Sequence, residues 1–192
     1  MLDRENTVDS LKNNKIQEHG NIKIQELPFI NKINLRLDPR NKNYMSLCGK
    51  ILGIILPTKP NTYFKNENVK SLWLGPDEWL ILNESKNDLF SKLTNELKEE
   101  ETSVTDVSEN RTVIRLTGEK IFILLSKFLT LDLENNLFNQ SCCTQTLFVK
   151  VPSLLIRNNN ENEIPEIDIF INRSHANYIY NLLVDGIKNL DF

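Results

Sequence analysis

Val69-Lys70-Ser71-Leu72-Trp73-Leu74-Gly75-Pro76-Asp77-Glu78-Trp79-Leu80-Ile81-Leu82 is two apolar-rich runs joined by a turn. Gly75 permits unusual backbone dihedrals and Pro76 fixes φ, so Gly75-Pro76-Asp77 reverses the chain. Val69 to Leu74 and Glu78 to Leu82 are therefore the two strands of a hairpin. Trp73 and Trp79 lie close to its turn, where they serve either a core or a contact surface. Neither strand is followed directly by a third, so this hairpin must be flanked by other elements.

Working outward, Ile33-Asn34-Leu35-Arg36-Leu37 alternates apolar and polar residues, the period of a half-buried strand. Tyr44, Leu47 and Ile51 follow at helical spacing and end near Gly53, a residue suited to a helix end. Leu56 to Asn61 is a loop with two prolines. Beyond the hairpin, Ser85 with Asp88 three residues later predicts a capped start for a helix through Leu89, Leu93 and Leu97. Val104 to Ser108 and Arg111 to Leu116 read as strands about a turn at Glu109-Asn110, the second rich in β-branched residues. Ile121, Leu124, Leu125 and Phe128 make a helical stripe. The stretch from Leu129 to Cys142 is irregular. Thr144 to Val149 and Ser153 to Arg157 pair across Val151-Pro152, and Glu166 to Ile171 is another strand. Ser174 predicts the cap of a last helix, with Tyr180, Leu183 and Ile187 on its apolar face.

The element order is β-α-β-β-α-β followed by β-α-β-β-β-α. It predicts an α+β fold of two tandem ferredoxin-like β-α-β-β-α units, each placing helices on one face of an antiparallel sheet. The expected boundaries are a polar N-terminal arm over residues 1–21, a first unit over 22–108 and a second over 109–192.

Composition excludes several classes. A net charge of -3 gives no reason to expect a nucleic-acid partner. No apolar run approaches the length of a bilayer span, and the N-terminus lacks the pattern of a secretory leader, so no membrane role and a cytoplasmic location are expected. Three cysteines, Cys48, Cys142 and Cys143, make no disulfide framework. Two histidines, His19 and His175, and no C-x-x-C leave no metal cluster. The six glycines form neither G-x-G-x-x-G nor a P-loop, and no G-x-S-x-G is present.

Asp77 with Glu78, and Asp106 with Glu109, are paired carboxylates by spacing alone. A structural role is the expectation for both. Asp77 bonds backbone amides in its turn, and Asp106 binds the Arg111 guanidinium across the next one. Arg36, Arg111, Arg115 and Arg173, in or beside strands, are read as paired or interface arginines. Trp73, Trp79, Asp106, Arg111 and Arg173 are the structural or interface candidates. No catalytic, cofactor-binding or metal residue is assigned.

Three segments together resemble a known family: Trp73-Leu74-Gly75-Pro76-Asp77-Glu78-Trp79-Leu80; Asp106-Val107-Ser108-Glu109-Asn110-Arg111-Thr112 with Ile114-Arg115-Leu116-Thr117-Gly118; and Phe170-Ile171-Asn172-Arg173-Ser174-His175-Ala176-Asn177-Tyr178. Cys143-Thr144-Gln145-Thr146 fits as well, and Asn34-Leu35-Arg36, Leu56-Pro57 and Asn61-Thr62 fit more loosely. Their order and spacing are similar to the gamma subunit of heterotetrameric sarcosine oxidase. The resemblance implies the fold of the folate-binding part of the glycine-cleavage T-protein. It also implies a non-catalytic role supporting the alpha, beta and delta subunits in oxidative demethylation of sarcosine to glycine. FAD, FMN, NAD, folate and zinc are then expected on those partners and none on this chain. The alternative is a free-standing folate-dependent aminomethyltransferase or demethylase of the T-protein class, with Asp106 as candidate base. A third reading is the equivalent subunit of an N-methylglutamate dehydrogenase-like complex.

Overall fold

The computed structural model describes residues 6–8, 16–85, 87–97, 101–188 and 190. In chain order the elements are β1 (Ile16–His19), β2 (Ile22–Glu26), β3 (Asn31–Leu37), α1 (Lys42–Leu52), β4 (Tyr63–Lys65), β5 (Val69–Gly75), β6 (Glu78–Asn83), α2 (Leu89–Glu96) and β7 (Thr102–Asp106). They continue with β8 (Arg111–Thr117), α3 (Ile121–Ser126), α4 (Leu133–Asn136), β9 (Cys143–Phe148), β10 (Val151–Arg157), β11 (Glu166–Asn172) and α5 (Ala176–Lys188). The fold is α+β with two antiparallel sheets, one in each of two compact units: residues 30–108, and residues 1–29 together with 109–192.

In the unit of residues 30–108 the sheet order is β4-β5-β6-β3-β7. Within the hairpin β5-β6, the first strand pairs with the short β4 and not with β3. Its second strand inserts next to β3, with Ile33 opposite Ile81 and Leu35 opposite Trp79. That puts the crossover helix α1 and the return helix α2 on one face, as the ferredoxin-like order requires. Ile33, Leu35, Val69, Trp79 and Ile81 meet Cys48 and Leu52 of α1 and Leu89 and Leu93 of α2 in one core. Gly53 ends α1 in the left-handed region, φ 67°, which only glycine adopts without cost. The added edge strand β4 is only three residues long, too short to show as a periodic pattern.

The other unit has the order β1-β2-β8-β11-β10-β9. Here β9, β10 and β11 form a consecutive meander, and β11 closes against β8 with Ile169 opposite Ile114. Helices α3 and α5 pack over Ile114, Leu116, Leu155, Ile167 and Ile169. Gly186 of α5 lies against Phe128 and Leu124, a close approach that leaves no room for a Cβ.

Four local expectations are corrected. Residues 16–19 and 22–26 are strands of the second sheet, because β2 pairs with β8 (Ile24 opposite Leu116), so the division falls after Phe29 and not after residue 21. Residues 1–5 and 9–15 of the expected arm lie outside the described residues. The β9-β10 turn is at Val149-Lys150, and Val151-Pro152 already belong to β10. Val149 has φ 57° and its N–H donates to Phe128 O at 2.9 Å. A β-branched residue is a poor choice for that region, so the turn was read at the proline instead. Pro152 is tolerated because the β10-β11 ladder begins only at Ser153. Helix α2 is capped by Asp88, whose carboxylate accepts from the Ser91 N–H at 3.0 Å and the Ser91 hydroxyl at 2.6 Å. Ser85 instead donates to Asn83 Oδ1 at 2.7 Å. At the last helix the chain enters through a 3₁₀ turn, Arg173–His175, with no side-chain cap, and Ser174 Oγ contacts His175 Nδ1 at 3.2 Å.

Candidate functional site

The hairpin places its tryptophans directly across from each other, Trp73 opposite Trp79, with a bulge between Trp73 and Gly75. Trp79 is fully buried and its indole N–H donates to Pro57 O at 2.7 Å. That bond fixes the two-proline loop against the sheet and makes Trp79 a core residue, while Trp73 is half-buried. The turn carboxylates are engaged as structural groups. Glu78 Oε1 accepts from Asn34 Nδ2 at 2.7 Å, and Arg36 lies 3.5 Å from Asp77 and 3.8 Å from Glu78.

Asp106 is exposed at the end of β7. Its Oδ1 accepts from the Ser108 N–H at 2.9 Å and the Ser108 hydroxyl at 2.5 Å, an Asx-type turn that ends the strand. Those two bonds close the turn locally. Arg111 itself opens β8 opposite Asn172. Beside Asp106 lies a groove of about 350 Å³ that Asn31, Asn83, Asp88, Phe90 and Ser108 also line. Lys32, on the next strand, is buried, and its ammonium donates to Ile30 O at 2.8 Å and Ser108 O at 3.2 Å. Its position in the alternating run reads as solvent-facing, so no sequence signal marks it.

Arg173 forms an ion pair with Glu109, and its backbone N–H donates to Asn110 O at 3.1 Å. The third segment of the resemblance is thereby tied to the second within one unit. Two further polar groups escaped the sequence reading as partners. Asp168, 1 % exposed in the central strand β11, receives the Arg115 fork at 2.6 and 2.8 Å, and Glu166 adds a contact at 3.2 Å. A lone carboxylate within Ile167-Asp168-Ile169-Phe170 and a lone guanidinium within Val113-Ile114-Arg115-Leu116 are the signals for that pair. Arg157 is buried beneath the loop after β10 and donates to the carbonyls of Leu137, Phe138 and Asn160 at 3.1, 2.8 and 2.7 Å. Its guanidinium lies over the Phe122 ring, and burial pushes its pKa down.

The thiols are equally structural. Cys48 is buried between α1 and its sheet, and desolvation pushes its pKa up to about 11, away from thiolate chemistry. Among the described residues no group of His, Cys, Asp and Glu side chains is arranged to hold a metal ion. Nor is any helix there long and apolar enough to cross a membrane.

The sequence model of the sarcosine oxidase gamma subunit family matches residues 36–189. The chain belongs to that family. The match spans the hairpin, the Asp106 corner, the Arg115–Asp168 pair and the Arg173 turn. Among the relatives, the chain is 28 % identical over 144 residues to sarcosine oxidase subunit gamma of Corynebacterium sp. (strain P-1), covering 74 % of this chain and 70 % of that one. It is 28 % identical over the same length to the Arthrobacter sp. protein of that name. Among solved structures, a chain of heterotetrameric sarcosine oxidase from Corynebacterium sp. U-96, in complex with pyrrole 2-carboxylate, shares the fold. Its TM-score is 0.78 at 24 % identity, over 91 % of this chain and 88 % of that one. The glycine cleavage system aminomethyltransferase T from Bartonella henselae shares it at a TM-score of 0.56 and 14 % identity, over 83 % of this chain and 44 % of that one. In this gamma-family member Trp79, Asp106 and Arg173 each make a local side-chain contact, to Pro57, Ser108 and Glu109.

Proposed function

We propose that this chain is the gamma subunit of a heterotetrameric sarcosine oxidase, a non-catalytic part that supports alpha, beta and delta partners. In that complex sarcosine is oxidatively demethylated to glycine, with FAD, FMN, NAD, folate and zinc held by the partner subunits, in the cytoplasm. The observation that carries the reading is the family match over residues 36–189, which takes in β4 to β7 of one sheet and β8 to β11 of the other. The contacts of the candidate residues are compatible with it. The carboxylates considered for acid-base work, Asp77, Glu78, Asp106 and Glu109, are engaged in turn-closing bonds and ion pairs. Ile55, Ile123, Leu147 and Ile164 are each more than half exposed, and such side chains are what an obligate partner would cover. In this reading Trp73, Arg111 and Arg173 act as structural or interface residues, with Trp79 and Asp106 holding the segments that present them.

The experiment is co-expression of this chain with the alpha, beta and delta subunits encoded in the same genome, followed by purification through a tag on this chain. A stable assembly that oxidises sarcosine, together with a lone chain that neither turns over sarcosine nor retains flavin, is expected. A lone chain that oxidises sarcosine, or partners that assemble fully active without it, overturns the reading. Calorimetry of the lone chain with tetrahydrofolate separates the T-protein-like alternative, which requires tight binding. An assembly that prefers N-methylglutamate to sarcosine assigns the N-methylglutamate dehydrogenase-like complex instead.

A further inference from the structure

The backbone of Thr7 and Val8 is held by two side chains distant in sequence, Glu26 and Asn177, and Arg173 holds the Thr7 hydroxyl. Glu26, at the end of β2 and 2 % exposed, accepts from the Thr7 N–H at 2.9 Å through one carboxylate oxygen and from the Val8 N–H at 2.8 Å through the other. The Thr112 hydroxyl of β8 donates to the same carboxylate. Arg173 Nε donates to the Thr7 hydroxyl at 3.1 Å, and Asn177 Nδ2 of α5 donates to Thr7 O at 3.4 Å. The Val8 side chain is fully buried in the core that Ile24, Ile114, Ile171 and Ile179 help to form.

Each contact is of a kind used to recognise a short peptide segment, here bent at Thr7 and Val8. A carboxylate gripping two successive N–H groups reads backbone, independently of side-chain identity, and bonds to a charged acceptor are the strong ones. The socket beneath reads one small apolar side chain. Burial of Glu26 makes the peptide N–H groups necessary, since a buried carboxylate with unfilled acceptor positions is costly.

We propose that Glu26, Thr112, Arg173 and Asn177, with the Val8 socket, form a peptide-recognition seat that this chain fills with its own residues 6–8. The ligand class is a short bent segment whose two consecutive N–H groups turn to the same side, with a small β-branched side chain on the second residue. The seat therefore works between separate chains as well as within one. This inference does not depend on the assignment to sarcosine oxidase.

The test begins with the full chain carrying a protease site introduced at Asn13-Asn14 and cut after folding. The N-terminal fragment is expected to stay bound through gel filtration. Excess fluorescent peptide of residues 1–13 should then replace it with saturable binding. N-methylation of the peptide at Val8 removes one donor and leaves the protein untouched, so it should weaken binding tenfold or more, as should Val8→Asp in the peptide. Glu26→Gln in the cut protein should weaken the unmodified peptide similarly. Immediate loss of the fragment with no saturable rebinding overturns the proposal. So does equal affinity for the N-methylated and unmodified peptides, even if Glu26→Gln prevents folding.

Discussion

Replacing Gly186 by alanine sets two calculable effects against each other. Gly186 lies in the last turn of α5, where alanine is favoured over glycine by up to about 1 kcal/mol. On propensity alone the substitution stabilises the protein. A Cβ at this position would lie 2.7 and 2.8 Å from Phe128 ring carbons and 2.9 Å from Leu124 Cδ1. Carbon atoms in good contact are about 3.5–4.0 Å apart, so the methyl must push both neighbours away. Phe128 has little freedom to retreat, because its ring stacks on the buried Phe148 at a centroid distance of 5.2 Å. Overpacking of this kind costs about 1–3 kcal/mol, which offsets or exceeds the propensity gain. The expected net change is a destabilisation of up to about 2 kcal/mol, or a few degrees in Tm at roughly 2–4 °C per kcal/mol. Urea titration followed by far-UV circular dichroism measures it. Combining Gly186→Ala with Phe128→Leu should recover part of the loss, with a coupling energy of about 0.5 kcal/mol or more. A single variant more stable than the parent refutes the argument, since propensity would then have outweighed packing.

Arg115→Ala leaves Asp168 buried without its guanidinium and should cost about 3–5 kcal/mol in urea titration, whereas Arg115→Leu with Asp168→Leu should recover most of that loss. Trp79→Phe removes the donor to Pro57 O and should destabilise the 30–108 unit by at least about 1 kcal/mol, with greater protease sensitivity in residues 57–62. The raised pKa of Cys48 favours the neutral thiol in the folded state, so its stabilising effect is complete below pH 9.0 and is lost as pH rises through about 11. Thermal denaturation of parent and Cys48→Ala over that window should show the steeper alkaline decline in the parent, and equal slopes would contradict it. The lowered pKa of Asp88, held down by its bonds to Ser91, works in the opposite direction. Its contribution is complete above pH 3.8 and is lost as pH falls through the depressed folded value, and Asp88→Ala should remove that acid dependence.

Patterns spanning several residues were readable in the sequence. The hairpin about Gly75-Pro76-Asp77 and the helical stripes at Leu89, Leu93 and Leu97 and at Tyr180, Leu183 and Ile187 all appear in the structure, because burying one face imposes a period. Turn and cap details were less legible, because competing residues offered similar local chemistry. Ser85 and Asp88 are both competent caps, and position relative to the core selected Asp88. Pro152 is a turn former by nature, yet Val149 makes the turn because Phe128 O is in place to receive its N–H.

The sequence by itself determined the α+β class, most of the apolar faces and the absence of a glycine-rich phosphate cradle, since each depends on neighbouring residues along the chain. Only the tertiary structure decided that β2 joins β8, that Arg115 pairs with Asp168 and that Glu26 grips Thr7 and Val8. Those partners are 18 to 94 positions apart. Sequence spacing carries no distance information at such separations, and the partner of a buried charge is set by which strands pack side by side.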